Sequence, residues 1–425
     1  MRHELENMPA DISDGVLPSP PSRNQRARST RARTRQVCFV TGTRAEFGLM
    51  RPVLDAIRNE PKLGLQVIAT GMHLDADHGD GLESIRQEGI SISRVVPWES
   101  QGRQGRIALA RSTALASAGL AEAFGELHSD IVLVTGDRVE AFAAASAAHL
   151  SGLPVAHVHG GDRAAGQVDD CLRHAITKLA HVHFPATKTS AGRIYKLGED
   201  RWRIHRAGSP GLDGIADAAA ASEQVEQWLG RLKPRRFALV ILHPADCDEA
   251  VERKRAELML KAISTVPFQQ IVIIYPNNDP GGRGIMACWD ELDRRSRPVL
   301  PPGNGDGRYR LRRDLPRQIF LGLLRDAAVL IGNSSSGIIE AASFGTPVLD
   351  IGPRQKGRER GNNVIQVPYN ASRITEELLK IWNHGRPRRC RSGNIYGGDG
   401  AGHTIARVLS RLAIDSRLLR KLIRY

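Results

Sequence analysis

The stretch Ile131-Val132-Leu133-Val134-Thr135-Gly136-Asp137-Arg138 is typical of a buried parallel strand that ends in polar residues. An alanine-rich stretch from Glu140 to Leu150 follows, and we expect it to form a helix that packs close to a sheet. The same order of strand and helix recurs after the apolar runs 37–41 and 155–158, with the second helix predicted over 169–180. This alternation predicts an α/β fold, with a parallel sheet covered by helices on both faces.

A second series of strands and helices begins near residue 222, after the turn-rich Gly208-Ser209-Pro210-Gly211. Its predicted strands are 237–242, 270–275, 328–331 and 347–351, its predicted helices are 248–264, 316–326 and 336–345, and 296–314 reads as a loop. A basic helix is expected over 402–424. We therefore expect a disordered basic tail (1–35), two Rossmann-like lobes (36–215 and 216–400) and a C-terminal helix (401–425).

The amino-acid composition limits the class of protein to which this chain can belong. Hydrophobic residues make up 41% of the 425-residue chain and charged residues 25%, as in soluble globular proteins. An odd number of five scattered cysteines, without a CxxC spacing, favours a reducing cytoplasm over a disulfide framework or a zinc ribbon. No run of about 18 apolar residues occurs, so no membrane partner is expected.

The net charge of +14 invites a nucleic-acid interpretation. Six arginines between Arg23 and Arg35 supply much of the excess, and they follow a Pro/Ser-rich leader. A surface that binds single-stranded nucleic acid needs interleaved aromatic side chains, and only 5% of the chain is aromatic. We therefore expect no nucleic-acid partner, and the remaining positive charge suits a diphosphate ligand.

Polar and glycine-rich segments follow nearly every predicted strand. Ligands of open parallel sheets bind beyond the carboxyl ends of the strands, so these segments predict one site in a cleft between the lobes. Absence of GxGxxG and of GxxxxGK[ST] disfavours a dinucleotide-dependent oxidoreductase and a P-loop kinase. The segments are Gly42-Thr43-Arg44-Ala45-Glu46, Gly136-Asp137-Arg138, His157-Val158-His159-Gly160-Gly161-Asp162-Arg163, His243-Pro244, Pro276-Asn277 and Gly332-Asn333-Ser334-Ser335-Ser336-Gly337.

The turn from Asn333 to Gly337 leads directly into a predicted helix. Small hydroxyl side chains and free N–H groups at such a start bind anions, although a serine there also serves as an ordinary helix cap. Glu340 follows, where a carboxylate can accept from ribose hydroxyls. The cations that come next, Arg354, Lys356, Arg358 and Arg360, are by themselves typical of a solvated loop.

Two pairs of histidines alternate along predicted strands, His157 with His159 and His181 with His183, so each pair is expected to share a face. Neither an HExxH motif nor a cysteine ligand lies near them. We expect no metal and no other cofactor. These histidines are expected to be hydrogen-bonded residues at strand ends, or one of them a catalytic group.

Taken together, these segments resemble the hydrolysing UDP-N-acetylglucosamine 2-epimerase family over about residues 36–410. Such enzymes make N-acetylmannosamine for sialic acid-type sugars. The matching motifs, in chain order, are Thr41-Gly42-Thr43-Arg44-Ala45-Glu46-Phe47, Gly71-Met72-His73-Leu74, Gly136-Asp137-Arg138, His159-Gly160-Gly161, Asp169-Asp170, Arg173-His174-Ala175-Ile176-Thr177-Lys178, Gly208-Ser209-Pro210-Gly211, His243-Pro244, Gly332-Asn333-Ser334-Ser335, Phe344-Gly345-Thr346-Pro347 and Arg354-Gln355-Lys356-Gly357-Arg358-Glu359.

The resemblance implies a GT-B fold, an active site between the lobes, a C-terminal helix packed on lobe one, and a homodimer or homotetramer. It implies loss of UDP by elimination across C1–C2, followed by hydration of the glycal to N-acetylmannosamine. The implied catalytic residues are Asp137, His159, Asp162, Asp169, Arg173 and His243, with Arg173 orienting Asp169 one helical turn away. The implied substrate-binding residues are Arg44, Asn277, Asn333, Ser334, Ser335, Gly337, Glu340 and Arg354.

One departure affects the chemistry. Some family members carry glutamate in place of His159 and of Asp162, and the spacing from His159 to Asp169 is one residue longer here. The residue that exchanges the C2 proton therefore stays open among His159, Asp162 and Asp169. The change is also compatible with another sugar, such as a UDP-2,4-diacetamido-6-deoxy sugar.

Three alternatives share the fold. The non-hydrolysing 2-epimerases carry HxEAGLRT-like and HRREN-like segments, which this chain replaces with residues 157–163 and with His243-Pro244-Ala245-Asp246. A glycosyltransferase would release UDP only in the presence of an acceptor. A non-catalytic sugar-nucleotide sensor would need the phosphate site but not Asp137, Asp169, Arg173 and His243.

Overall fold

Short apolar runs form six parallel strands in the first lobe. The strand order β3-β2-β1-β4-β5-β6 places β1 beside β4, where the direction of chain progression reverses. The central strands are buried on both faces, which explains their continuous apolar sequences. These strands are β1 (Arg35–Thr41), β2 (Leu63–Ala69), β3 (Arg94–Val95), β4 (Ile131–Thr135), β5 (Val155–Val158) and β6 (Val182–Phe184).

Helices cover both faces of this sheet. In α4, Ala144 and Ala148 are fully buried, and their small side chains allow the close packing that the sequence predicts. Helix α1 begins at the Thr43 cap, whose hydroxyl accepts from the Glu46 backbone N–H at 3.2 Å. The helices are α1 (Arg44–Asn59), α2 (Gly81–Gln87), α3 (Arg106–Glu126), α4 (Val139–Leu150), α5 (Asp169–Leu179) and α6 (Lys188–Lys196).

The second lobe repeats the topology, in the order β12-β11-β10-β7-β8-β9. Strand β9 lies inside the segment expected to be a loop, so that expectation is wrong. It is an edge strand in which arginines alternate with Tyr309 and Leu311, and this gives little apolar signal. The strands are β7 (Phe237–Ile241), β8 (Gln270–Ile274), β9 (Tyr309–Arg312), β10 (Val329–Gly332), β11 (Val348–Ile351) and β12 (Val364–Val367).

One predicted helix of this lobe is shorter than expected. The helix expected over 336–345 ends at Ile339 and continues as a 3₁₀ turn, Ala341–Phe344, which Gly345 ends in a left-handed conformation. The helices of lobe two are α7 (Ser222–Leu229), α8 (Glu249–Ser264), α9 (Gly282–Ser296), α10 (Arg317–Asp326), α11 (Ser335–Ile339) and α12 (Ala371–Trp382).

The C-terminal segment packs on lobe one. The single helix expected over 402–424 is wrong, because extended backbone at Leu412 divides it into α13 (Ala401–Arg411) and α14 (Ser416–Leu419). Ile405 and Leu409 of α13 join the core of lobe one, and burial of each contributes about 1.5–3 kcal/mol. Beyond α14, the Lys421 ammonium donates to the carbonyls of Thr177 and Lys178 at the end of α5.

These elements come from a computed structural model that describes residues 33–74, 81–98, 106–163, 169–276, 281–296, 307–390, 393–422 and 424. The chain divides into the units Met1–Thr34 and Arg35–Tyr425, and the second contains every element named above. All but the last three residues of the basic tail expected over 1–35 lie outside the described residues. No helix in the described part of the chain is long and apolar enough to cross a membrane.

Candidate active site

An ion pair between Asp137 and Arg173 lies at the carboxyl end of β4. Asp137 lies two residues after the strand, and the Arg173 side chain comes from α5 with only 4% of it exposed. A second nitrogen of Arg173 donates to the backbone carbonyl of His159 at 2.8 Å. The guanidinium therefore joins the ends of β4 and β5, and it fixes both candidate catalytic segments.

His159 lies just beyond β5, not on the strand. Its backbone has φ of +61°, a left-handed conformation that histidine adopts more readily than most residues do. Because of this turn, the expectation that His157 and His159 share a strand face is wrong. The His159 ring lies between Asp162, at 2.9 Å from Nδ1, and the Ser209 hydroxyl, at 3.1 Å from Nε2.

Asp162 holds His159 in one orientation. Burial raises the pKa of the Asp162 carboxyl, but the hydrogen bond and charge of His159, the charge of Arg173 and the Ser190 hydroxyl outweigh burial and lower this pKa to about 2. The ionised carboxylate can only accept, so Nδ1 of His159 donates to it and Nε2 faces the Ser209 hydroxyl. Asp162 and His159 thus form a hydrogen-bonded pair in which the orientation of the imidazole is fixed.

Close packing of α6 makes this arrangement possible. Gly161 has φ of +73°, and a Cβ there would lie 2.3 Å from the Ser190 carbonyl oxygen. Only glycine fits that approach, which lets the Ser190 hydroxyl donate to Asp162 at 2.7 Å.

The other histidines on the strands, His157 and His183, form hydrogen bonds with groups in the protein interior. His157 Nε2 lies 2.8 Å from the Gly136 carbonyl oxygen, so it supports the turn that carries Asp137. Burial, chiefly, lowers the pKa of His157 to about 3, and the ring is therefore neutral at pH 7. His183 pairs with the buried Glu199 at 3.2 Å. His157 and His183 therefore fit the expectation of hydrogen-bonded residues at strand ends.

A cluster that was not singled out from the sequence lies beneath the turn after β1. The Glu46 carboxylate accepts from the Gly42 N–H at 2.8 Å, and Arg138 pairs with the buried Glu140 at 3.2 Å. Burial raises the pKa of Glu46 to about 8; the nearby charge of Glu140 adds to the rise, and the Gly42 N–H opposes it. Glu46 belongs to the motif Thr41 to Phe47, which was the available signal, whereas Glu140 appeared only as the start of a predicted helix. The partly exposed Arg138 is a further candidate for phosphate binding.

Replacement of Glu46 by glutamine is expected to make stability less dependent on pH. The folded-state pKa of about 8 lies above the ordinary 4.5, so the stability that protonated Glu46 contributes is present below about pH 4.5 and is lost as pH rises to about 8. Relative to wild type, Glu46→Gln should gain about 3–5 kcal/mol between pH 5 and pH 9 in urea unfolding. Glu122→Gln, on the exposed face of α3, is the control, and a pH-independent difference for Glu46→Gln would contradict the assignment.

In lobe two, the Asn333 side chain joins two strand ends. Its carbonyl oxygen accepts from the His243 N–H at 2.7 Å, and its amide donates to the His243 carbonyl at 2.8 Å. Asn333 is 1% exposed, so this side chain positions His243 at the end of β7 and holds the turn after β10. His243 itself is half-buried.

Ser334 caps α11, with its hydroxyl accepting from the Ser336 N–H, and Ser335 opens the helix. Gly337 is a close-packing position, because a Cβ there would lie 2.9 Å from Val348. Glu340 is buried and pairs with Arg317 at 2.8 Å. Burial raises the pKa of its carboxyl, and the charge and hydrogen bond of Arg317 oppose this rise. Ser334 and Ser335 are the half-buried, accessible members of this group.

The remaining predicted residues fall into two groups. Arg44 is exposed at the start of α1, and one Arg354 nitrogen lies 3.4 Å from the Asn333 carbonyl oxygen. Asp169 begins α5, but its side chain lies outside the described residues, as does all of Asn277.

The model of the UDP-N-acetylglucosamine 2-epimerase family matches residues 55–410. This chain belongs to that family. The resemblance drawn from the motifs is therefore confirmed, and the protein is an enzyme of this type. A hydrolysing UDP-N,N'-diacetylbacillosamine 2-epimerase of Legionella pneumophila is 35% identical over 91% of this chain and 98% of its own. A UDP-N-acetylglucosamine 2-epimerase of Neisseria meningitidis is 32% identical over 83% of this chain and 89% of its own.

Solved structures confirm the fold. UDP-GlcNAc 2-epimerase from Neisseria meningitidis, bound to UDP-GlcNAc, matches with a TM-score of 0.74 and 19% identity, over 88% of this chain and 99% of that chain. The Methanocaldococcus jannaschii enzyme, in complex with UDP-GlcNAc and UDP, gives a TM-score of 0.72 and 17% identity over the same shares. The α/β GT-B architecture predicted from the sequence is thus correct.

Proposed function

We propose that this 2-epimerase is hydrolysing and that it converts a UDP-2-acetamido sugar and water into UDP and the free 2-epimeric sugar. The observation that carries the proposal is the joined arrangement of Asp137–Arg173 and Asp162–His159 at the ends of neighbouring strands. It supplies a carboxylate and an oriented imidazole, the kinds of group that proton transfer at carbon requires.

In the first stage the C2 proton leaves to a base, the C2–H electron pair forms the C1–C2 double bond, and the C1–O bond breaks towards UDP. In the second stage water adds to C1 and C2 is protonated on the opposite face. We assign one C2 proton transfer to His159 Nε2, with Asp162 as its positioning residue. Asp137 and Asp169 are the candidates for the transfer on the other face.

The departing diphosphate needs strong stabilisation, because the C2 proton is not acidic and a single acid–base group supplies only about 10²–10⁴-fold. We assign this role to the turn at Ser334 and Ser335, together with Arg354, His243 and Arg44. N–H groups at a helix start and arginine forks both bind phosphate well. We assign the Glu340 carboxylate to the ribose hydroxyls. This role requires that one carboxylate oxygen stay accessible while the other pairs with Arg317.

Two sugars are candidates. UDP-N-acetylglucosamine, giving N-acetylmannosamine, is the sugar that the sequence motifs favour. UDP-N,N'-diacetylbacillosamine is favoured by the Legionella relative, which matches more of this chain and at higher identity than the Neisseria one. Initial rates of UDP release from each sugar decide between them, and release from neither would overturn the proposal.

The expected homodimer or homotetramer has a candidate surface on α3. Ile107 and Leu115 on this helix are 79% and 51% exposed, and Leu150 at the end of the adjacent α4 is 85% exposed. Exposed apolar side chains on helix surfaces are candidates for burial in a protein interface. Light scattering should give two or four times the chain mass, and a monomer would refute the assignment. We also propose a cytoplasmic location, where UDP-sugars and the five free cysteines are both expected.

A further inference from the structure

The loop after β11, residues 353–361, reaches lobe one. The Thr187 hydroxyl donates to the Glu359 carboxylate, and the Tyr396 hydroxyl donates to the Glu359 carbonyl at 3.0 Å. A Cβ on Gly357 would lie 3.1 Å from Cδ of Arg163, so the loop also touches the segment that carries His159 and Asp162. Two of these contacts, Glu359 with Thr187 and Gly357 with Arg163, therefore hold this loop of lobe two against lobe one, and Tyr396 fixes the loop within lobe two.

Two of the three arginines in the loop have protein partners. Arg360 pairs with Asp350 at 3.0 Å and donates to the Gln355 carbonyl at 3.0 Å. Arg354 lies against the Asn333 carbonyl oxygen at the start of the Ser334 turn. These contacts hold the loop to lobe two and place its first cation at the expected diphosphate turn.

Arg358 differs from both. No hydrogen bond from its side chain occurs among the residues that the structure describes, and its Nε, like that of Arg360, is buried without a partner among them. Burial, followed by the charge of Arg173, lowers the pKa of the Arg358 guanidinium, while the charges of Asp162 and Asp137 raise it. The guanidinium therefore lies within electrostatic range of the acid–base groups of lobe one.

Those acids are already paired, Asp137 with Arg173 and Asp162 with His159 and Ser190. A half-buried guanidinium that donates to none of the described residues bears a desolvation cost, which an anionic ligand would offset. Arg354 and Arg358 belong to one loop, the first beside the diphosphate turn and the second beside the C2 chemistry. The bond that breaks, between C1 and the phosphate oxygen, must lie between those two places.

We propose that Arg358 binds the β-phosphate of the nucleotide sugar and stabilises its charge as the C1–O bond breaks. This inference rests on the proposed function for the identity of the ligand. Arg358 makes no covalent bond: the electron pair of the C1–O bond passes to the phosphate oxygen, and the arginine fork donates to the resulting anion. Arginine suits this role because its fork donates two parallel hydrogen bonds to phosphate.

The test compares the binding of UDP and UMP by calorimetry, since UMP lacks the β-phosphate. For Arg358→Gln, Kd for UDP should rise about 10–100-fold while Kd for UMP is unchanged. Lys356→Gln, an exposed neighbour in the same loop, is the matched control and should change neither constant. Equal weakening of UDP and UMP, or no weakening of either, would overturn the inference.

Turnover gives a second readout. Arg358→Gln should lower kcat by about 10²–10³, as expected for loss of a donor to a developing anion. In Arg358→Ala, added guanidinium should restore part of kcat with saturation, which a purely structural arginine would not show. If the glutamine variant does not fold, Arg358→Lys should show an intermediate loss of UDP affinity; an unchanged affinity would overturn the inference.

Failure of the proposed function gives a different result. If wild type binds UDP but releases none from either sugar, the proposed hydrolysing reaction fails, and the comparison of UDP with UMP still decides the role of Arg358. If wild type turns over and Arg358→Gln matches it in kcat and in UDP affinity, the inference fails and the function stands.

Discussion

Substitution of asparagine for His159 is expected to lower kcat about 10³-fold with little change in thermal stability. Asparagine tolerates the left-handed backbone at this position, and its amide can still donate to Asp162. It has no group that exchanges a proton near neutral pH. The loss should therefore appear in kcat and leave the Kd for UDP unchanged.

His128→Asn is the matched control for that variant. His128 is an exposed histidine whose φ is also positive, at +49°, in the turn after α3. The same change of residue type in the same backbone conformation should leave kcat as it is. A His159→Asn enzyme that keeps a third or more of wild-type kcat would remove His159 from the chemistry and leave the role to Asp137 or Asp169.

Substitution of asparagine for Asp137 is expected to lower kcat about 10³-fold and to destabilise the fold as well. Arg173 is 4% exposed, so loss of its carboxylate partner leaves a buried charge without compensation. The free energy of unfolding should fall by about 2–4 kcal/mol, with the partial exposure of Asp137 keeping the loss in the lower part of that range. Urea unfolding and steady-state kinetics measure the two effects separately.

The double variant Asp137→Asn/Arg173→Met separates catalysis from stability. Removal of the unpaired cation should restore part of the stability but none of the activity. Glu257→Gln, which breaks an exposed pair with Arg253 on α8, should change stability by less than about 1 kcal/mol. Recovery of activity in the double variant would show that Asp137 only neutralises Arg173.

Much of the site follows from the sequence because parallel strands bring their carboxyl ends to one edge of a sheet. Asp137 and His159 could be placed near each other on that basis alone, since each follows an apolar run. The hydrogen bond from Arg173 to the His159 carbonyl could not be predicted from the sequence, because it depends on the packing of α5 against two strand ends. The direction of the His159 ring depends on a single backbone dihedral that the pattern does not encode.

Two further differences have identifiable causes. Strand β9 was missed because an edge strand with alternating arginines lacks the apolar run that reveals a central strand. Arg358 was interpreted as part of a solvated loop because its neighbours Arg354, Lys356 and Arg360 give the segment a polar pattern. What distinguishes this arginine is structural: its neighbours Glu359 and Gly357 contact lobe one, and its own side chain donates to none of the described residues.

The proximity of the Glu46 and Glu140 carboxylates in lobe one also could not be predicted from the sequence. Glu46 and Glu140 are far apart in the chain, and each follows a different strand. Their proximity beneath the Gly42 turn, and the raised pKa of Glu46, result from the order in which β1 and β4 pair. Strand order is a global property of the sheet, whereas the motifs report only local structure.

The most direct test of the hydrolysing 2-epimerase is its reaction in deuterated water, with UDP-N-acetylglucosamine and UDP-N,N'-diacetylbacillosamine as substrates and the products analysed by NMR. We expect equal amounts of UDP and of a free 2-epimeric sugar that carries deuterium at C2. A 2-epimer still attached to UDP, or a free sugar that retains its original proton at C2, would contradict the account.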